Sequence, residues 1–119
     1  MIVWRVEKGE TGPYQGGVAR KIVNACAGDP YNKPPPCNDY QISDWWEKLR
    51  DRSHWRFGFV SISQFRAWFD TDEGRDMLHD EGYKLAAYRV RDVNASNHQA
   101  VFLLQGAEKL GERSCNNWD

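Results

Sequence analysis

The chain has no apolar run long enough to cross a membrane or to act as a secretion signal, and its first residues, MIVWRVEKGE, are charged by the fifth position. A cytoplasmic protein without a membrane partner is expected. An excess of charge is missing too: 16 Lys and Arg stand against 17 Asp and Glu, for a net charge of -1. No global basic field gathers nucleic acid, so a nucleic-acid partner is not expected. Cysteine is sparse and unpaired in pattern. Cys26, Cys37 and Cys115 show no CxxC spacing, and His54, His79 and His98 are scattered, so no metal site is expected. Cys26 and Cys37 are close enough in sequence to bridge, but a reducing compartment keeps thiols free. The glycine-rich stretch GETGPYQGG lacks both the Lys-Ser/Thr ending of a phosphate loop and GxGxxG spacing, and it reads as a turn.

What is present suits a single small α+β domain over residues 1–119. IVWRVE alternates as a strand, with Val3, Arg5 and Glu7 on one face and Ile2, Trp4 and Val6 on the other. VARKIVNACA has helical spacing and stops near Gly28. Residues 29–39 hold three successive prolines and form a stiff, extended loop. SDWWEKLRD reads as a short helix with Ser43 as its N-cap. In RFGFVSISQFRAWF a strand through Phe57 and Phe59 runs into a helix, where Ser61 and Gln64 have capping-box spacing. Ile62, Phe65, Trp68 and Phe69 fall on the buried side of that helix, while Gln64 and Arg66 point away. TDEGRDMLHDEG gives another short helix stopped by Gly82. YKLAAYRV and HQAVFLL are expected to pair as a hairpin across the polar turn DVNASN. EKLGERSCNNWD reads as a helical turn leading into a flexible tail at 112–119. The sheet should be small and mainly antiparallel or mixed.

Tryptophan is abundant, with six in the chain. A small domain needs large apolar side chains in its core, yet adjacent Trp45 and Trp46 cannot both point inward from one helix. One of them is expected to mark a partner-binding surface, together with Pro35 of the proline loop.

The run FGFVSISQFRAWF, followed by GYKLAAYRV and QAVFLL and preceded by VWRVE, resembles the layout of small ADP-ribosyltransferase-like domains. The WRVE and GPY motifs also resemble short uncharacterised phage and prophage proteins. The first resemblance implies a nicotinamide dinucleotide (NAD) in a cleft lined by Arg5, Phe59, Ser61 and Tyr88, with ADP-ribose transferred to a macromolecular target. It places Gln99 where a catalytic acid belongs. A neutral amide stabilises oxocarbenium charge only weakly, which leaves Glu7 as the carboxylate that would substitute for it. The alternative is a non-catalytic phage or prophage protein that binds a protein target, an inhibitor of a host defence system of the anti-CRISPR or anti-restriction type, on the small size, the missing catalytic carboxylate and the surplus of aromatics. Without either resemblance, Arg5 and Glu7 are an exposed charge pair, Ser61 is a helix cap, and Gln99 is a solvent-facing strand residue.

Overall fold

The computed structural model describes residues 1–9, 11–12 and 39–116. The expected helix over VARKIVNACA, Cys26, Cys37 and the proline loop with Pro35 lie outside the described residues, as do residues 117–119. The described elements are β1 (Ile2–Glu7), α1 (Ser43–Lys48), β2 (Trp55–Gly58), α2 (Ile62–Trp68), α3 (Asp72–Asp80), β3 (Lys84–Arg89), β4 (Val93–Ala95), β5 (Ala100–Leu103) and β6 (Glu108–Ser114). The strands form two antiparallel sheets, ordered β1-β3-β6 and β2-β5-β4. The architecture is α+β, as expected.

The alternation of β1 sets up the layers. Val6 joins Leu85 of β3 in one core with Phe65 and Phe69 at α2, Leu78 of α3, and Phe59, Tyr83 and Cys115. Val3, on the other face of β1, joins Ala86 and Tyr88 of β3 in a second core with Ala100 and Phe102 of β5. The first sheet thus lies between the pair α2 and α3 and the second sheet. Arg56 pairs with Phe102, so Trp55 and Phe57 project from the far face of β2. That far face carries α1, through ring contacts of Trp45 with Trp55 and of Trp46 with Phe57. Both faces of β1 are therefore covered, and the polar face read from the sequence is an inter-sheet face.

The two sheets meet where Trp4 bridges Phe59, with both backbone hydrogen bonds at 2.7 Å. Gly58 permits this approach. A Cβ there would lie 2.5 Å from Val3 Cγ1 and 2.7 Å from the Trp4 carbonyl oxygen, closer than van der Waals contact allows.

Local signals act largely as read. Ser61 caps α2 by accepting from the Gln64 amide at 3.1 Å, and Thr71 caps α3 by accepting from the Gly74 amide at 3.0 Å. Gly82, at φ +90°, follows the end of α3. Gln64 differs from a capping box and from its expected outward aim. Its Oε1 accepts from Val60 N at 2.9 Å and its Nε2 donates to the Ser96 carbonyl at 2.9 Å, so it ties α2 to the turn before β5. At α1 the N-cap is Ile42, with no side-chain cap, and Ser43 is the first helical residue.

Three expectations are overturned. YKLAAYRV and HQAVFLL do not pair: β3 lies between β1 and β6, and β5 lies between β2 and β4. The polar turn contains a strand, β4, that pairs with β5. EKLGERS is strand β6 rather than a helical turn, it pairs with β3 through a bulge at Ala87/Tyr88, and Cys115 just beyond it is buried. Among the described residues β6 is an edge strand, exposed along most of its length, so it has no apolar alternation to read, and its charges suit an edge.

Candidate functional site

Arg5 and Glu7 are buried, at 5% and 4% exposure, and not the exposed pair that their spacing suggests. They sit on the inter-sheet face of β1, where the sheets part beyond the Trp4 and Phe59 bridge. Arg5 Nη1 donates to the Phe57 carbonyl at 3.2 Å, and its Nε lies 3.5 Å from Glu7 Oε1. The Tyr88 hydroxyl donates to the same Glu7 oxygen at 2.7 Å. Lys109 of β6 reaches the other Glu7 oxygen at 3.1 Å and Glu112 at 3.2 Å. One buried carboxylate thus organises a guanidinium, a phenol and an ammonium drawn from three strands.

The electrostatics follow from that packing. Burial lowers the pKa of Arg5, offset in part by Glu7 and reinforced by nearby Arg56. Burial and then the hydrogen bond to Glu7 push the Tyr88 phenol up to about 12. Burial opposes the Lys109 charge, but its hydrogen bonds and attraction to Glu7 and Glu112 outweigh this and raise its pKa.

The structure therefore brings Arg5, Glu7 and Tyr88 together and leaves the other expected site residues elsewhere. Phe59 is a core side chain whose ring meets Phe65, Trp68 and Phe69 at centroid separations of 5.8 to 6.3 Å. Ser61 is the cap of α2. Gln99 is buried rather than solvent-facing, and its Nε2 donates to Asp39 Oδ2 at 3.1 Å. The Ser96 hydroxyl donates to that same Asp39 oxygen, and the Ser96 oxygen accepts from the amides of His98 and Gln99. This second polar cluster pins the turn between β4 and β5 to the residues that lead into α1. Gln41 helps from outside, its Oε1 accepting from Asn97 N at 2.8 Å.

A third grouping is aromatic. Trp45 meets Trp55 edge to face at 4.8 Å, Trp46 lies 5.7 Å from Phe57, and the Trp45 and Trp46 centroids are 6.4 Å apart. Both tryptophans of α1 are half-buried, and Phe57 is 45% exposed. The geometric argument that one tryptophan would face inward and the other outward gives way to a tilted pair that shares the same strand face. Arg52 stands over the Trp46 ring at 5.0 Å. Sequence reasoning missed Lys109, Asp39 and Ser96, whose partners are strands away.

A model of the family described as bacteriophage T4 Y00F protein matches residues 1–116. The chain belongs to that family. Neither the curated proteins nor the solved structures gave a match. Family membership bears out the phage resemblance and lends nothing to the ADP-ribosyltransferase-like layout. Within this family member, no described helix is long and apolar enough to cross a membrane.

Proposed function

We propose that this phage protein works by binding a protein of the host, in the manner of an inhibitor of a host defence system, and that its contact surface is the aromatic face of α1 and β2. One observation carries the reading: Trp45, Trp46, Trp55 and Phe57 gather on one face and stay partly open, whereas of the polar residues expected to serve a cofactor Arg5 and Tyr88 are engaged with Glu7 and Ser61 with the cap of α2. Half-exposed tryptophan and phenylalanine are the side chains that dominate binding energy when a partner removes them from water. Acidic Asp44, Glu47 and Asp51 stand among basic Lys48, Arg50 and Arg52 along this stretch, a mixture that suits a protein surface better than a polyphosphate.

The test is affinity capture from host extract with the wild-type protein and with Phe57→Ala and Trp46→Ala, followed by direct titration of the captured protein after purification. A partner bound by the wild type and lost in both variants, with each variant folded, supports the reading. Equal capture by all three proteins overturns it.

A transferase-like reading keeps one favourable observation: a buried carboxylate, Glu7, lies beside Arg5 and Tyr88, the combination that stabilisation of an oxocarbenium ion on a nicotinamide dinucleotide would call for. Calorimetric titration with oxidised NAD tests it. Saturable binding removed by Glu7→Gln would revive it, and no binding up to millimolar ligand would end it.

A further inference from the structure

We infer that residues 43–52 form a flap, hinged at Ile42 and Ser53, which opens independently of the two-sheet body and whose own fold is held together by Arg52. The inference concerns how the aromatic face is uncovered. Only its consequence for partner binding rests on the docking role proposed above.

The anchors of the flap are clear. Ile42 is 1% exposed, and the backbone amides of Ile42 and Ser43 both donate to the Asp39 carbonyl, at 3.0 and 2.7 Å. Asp39 is itself held by Ser96 and Gln99. At the other end the Ser53 carbonyl accepts from Arg56 Nη1 at 2.6 Å and the His54 carbonyl from Leu104 N at 2.9 Å, and Trp55 enters β2 paired with Leu103. Between these points nothing is fully buried. α1 has six residues and no buried side chain. A helix this short closes few backbone bonds, and at its ends Trp46 N donates to Ile42 O at 2.9 Å and Leu49 N to Trp46 O at 3.2 Å. An isolated helix shorter than about 12 residues is marginal in water, so α1 depends on tertiary contacts for its stability. Those contacts include the edge-to-face rings of Trp45 and Trp55 and the tilted rings of Trp46 and Phe57.

Arg52 closes the flap upon itself. Its Nε donates to the Trp46 carbonyl at 3.2 Å, its guanidinium stands over the Trp46 ring at 5.0 Å, and its Nη2 lies 3.8 Å from Glu47 Oε2. One side chain therefore caps the C-terminal end of α1, covers its second tryptophan and neutralises its acid. All three contacts are solvent-accessible, which makes the clasp weak and sensitive to salt. Segments with few buried contacts and solvent-exposed hydrogen bonds occupy the low end of the local opening free energies of a fold. Opening the flap would strip α1 from Trp55 and Phe57 and enlarge the apolar face offered to a partner.

The experiment is amide hydrogen exchange followed by NMR on the full chain, comparing wild type, Arg52→Ala and Trp46→Ala. The expected result is exchange at Trp46 N and Leu49 N at least about 100-fold faster than at Phe69 N, the buried C-cap of α2, which donates to the Phe65 carbonyl at 2.9 Å. Arg52→Ala should accelerate the flap amides further, by about three- to tenfold, while Phe69 and the strands of both sheets are unchanged. Raising the salt concentration should reproduce part of that acceleration in the wild type and less of it in Arg52→Ala. Trp46→Ala, which removes the other half of the clasp, should act in the same direction. Protection of Trp46 and Leu49 equal to that of Phe69 would overturn the inference, and so would an Arg52→Ala variant that leaves the flap unchanged or speeds exchange throughout. No partner takes part in the measurement, so failure of the docking reading leaves its outcome intact.

Discussion

The sharpest consequence of the structure concerns Arg5. In a cofactor-binding role, Arg5→Ala would abolish activity and barely move the thermal midpoint. The structure requires the reverse emphasis. Removing the guanidinium leaves Glu7, at 4% exposure, with only Tyr88 and Lys109, and it leaves the Phe57 carbonyl without its side-chain donor. Breaking a buried ion pair from one side costs about 3–5 kcal/mol, a large part of the roughly 5–15 kcal/mol that holds a domain folded. Arg5→Met keeps most of the volume and isolates the charge effect. Replacing both partners, Arg5→Met with Glu7→Leu, removes the stranded charge, and what remains is the Tyr88 hydroxyl without its acceptor and the Phe57 carbonyl without its side-chain donor, each worth about 1–3 kcal/mol. The double variant should therefore be more stable than the sum of the single losses predicts, with a coupling of about 1–3 kcal/mol. Urea denaturation of the four proteins in a double-mutant cycle reads this directly. A loss below about 1 kcal/mol for Arg5→Met, or additive single effects, would refute the account of Arg5 as the residue that stabilises the parting of the sheets.

Other consequences are as specific. Gly58→Ala should lower stability by about 2–4 kcal/mol, because its Cβ meets the backbone of Trp4 as well as Val3, whereas Gly111→Ala, with nothing within 4 Å, should change it by less than about 1 kcal/mol; equal midpoints in thermal melts would contradict this. Tyr88, Lys109 and Cys115 all have folded pKa values raised above their unfolded values, two of them to about 12. Their contribution is complete below the unfolded pKa values and fades as pH climbs through the folded ones, so urea midpoints should fall between about pH 9 and 12. Tyr88→Phe should flatten the upper part of that fall, and a midpoint that rises with pH would sink the assignment. Gln99→Ala should lower the thermal midpoint by several degrees, since it strips a donor from buried Asp39, whereas a surface glutamine would be neutral to the change.

The residues explain why some of this was legible and some was not. Local chemistry is carried by neighbours in the chain. Ser61 with the Gln64 amide, Thr71 with the Gly74 amide, and Gly82 after α3 are interactions across a few residues, so the starts and stops of α2 and α3 could be read directly. The alternation of β1 and the apolar spacing of Ile62, Phe65 and Phe69 likewise identified a strand and a helix without reference to anything distant. Strand pairing has no such local record. YKLAAYRV could have paired with either neighbour, and it took β1 and β6 because covering both faces of β1 buries Val3 and Val6 at once.

The candidate site shows the same division. The resemblance to ADP-ribosyltransferase-like domains singled out Arg5, Glu7 and Tyr88, and the aromatic surplus pointed to a surface around Trp45 and Trp46. Whether a charged pair is exposed or buried depends on what packs over it, and Lys109 comes to Glu7 from a strand more than a hundred positions away in sequence. Gln99 and Asp39 are separated by 60 positions, and neither looks unusual until the turn before β5 folds onto the approach to α1. The sequence by itself determined the helix caps, the strand periods, the α+β class and the supply of aromatic side chains, because those are properties of short stretches of chain. Only the tertiary structure decided which polar residues would be withdrawn from water and which rings would stay in it, because burial is a property of layers that the chain builds only once its distant parts have met.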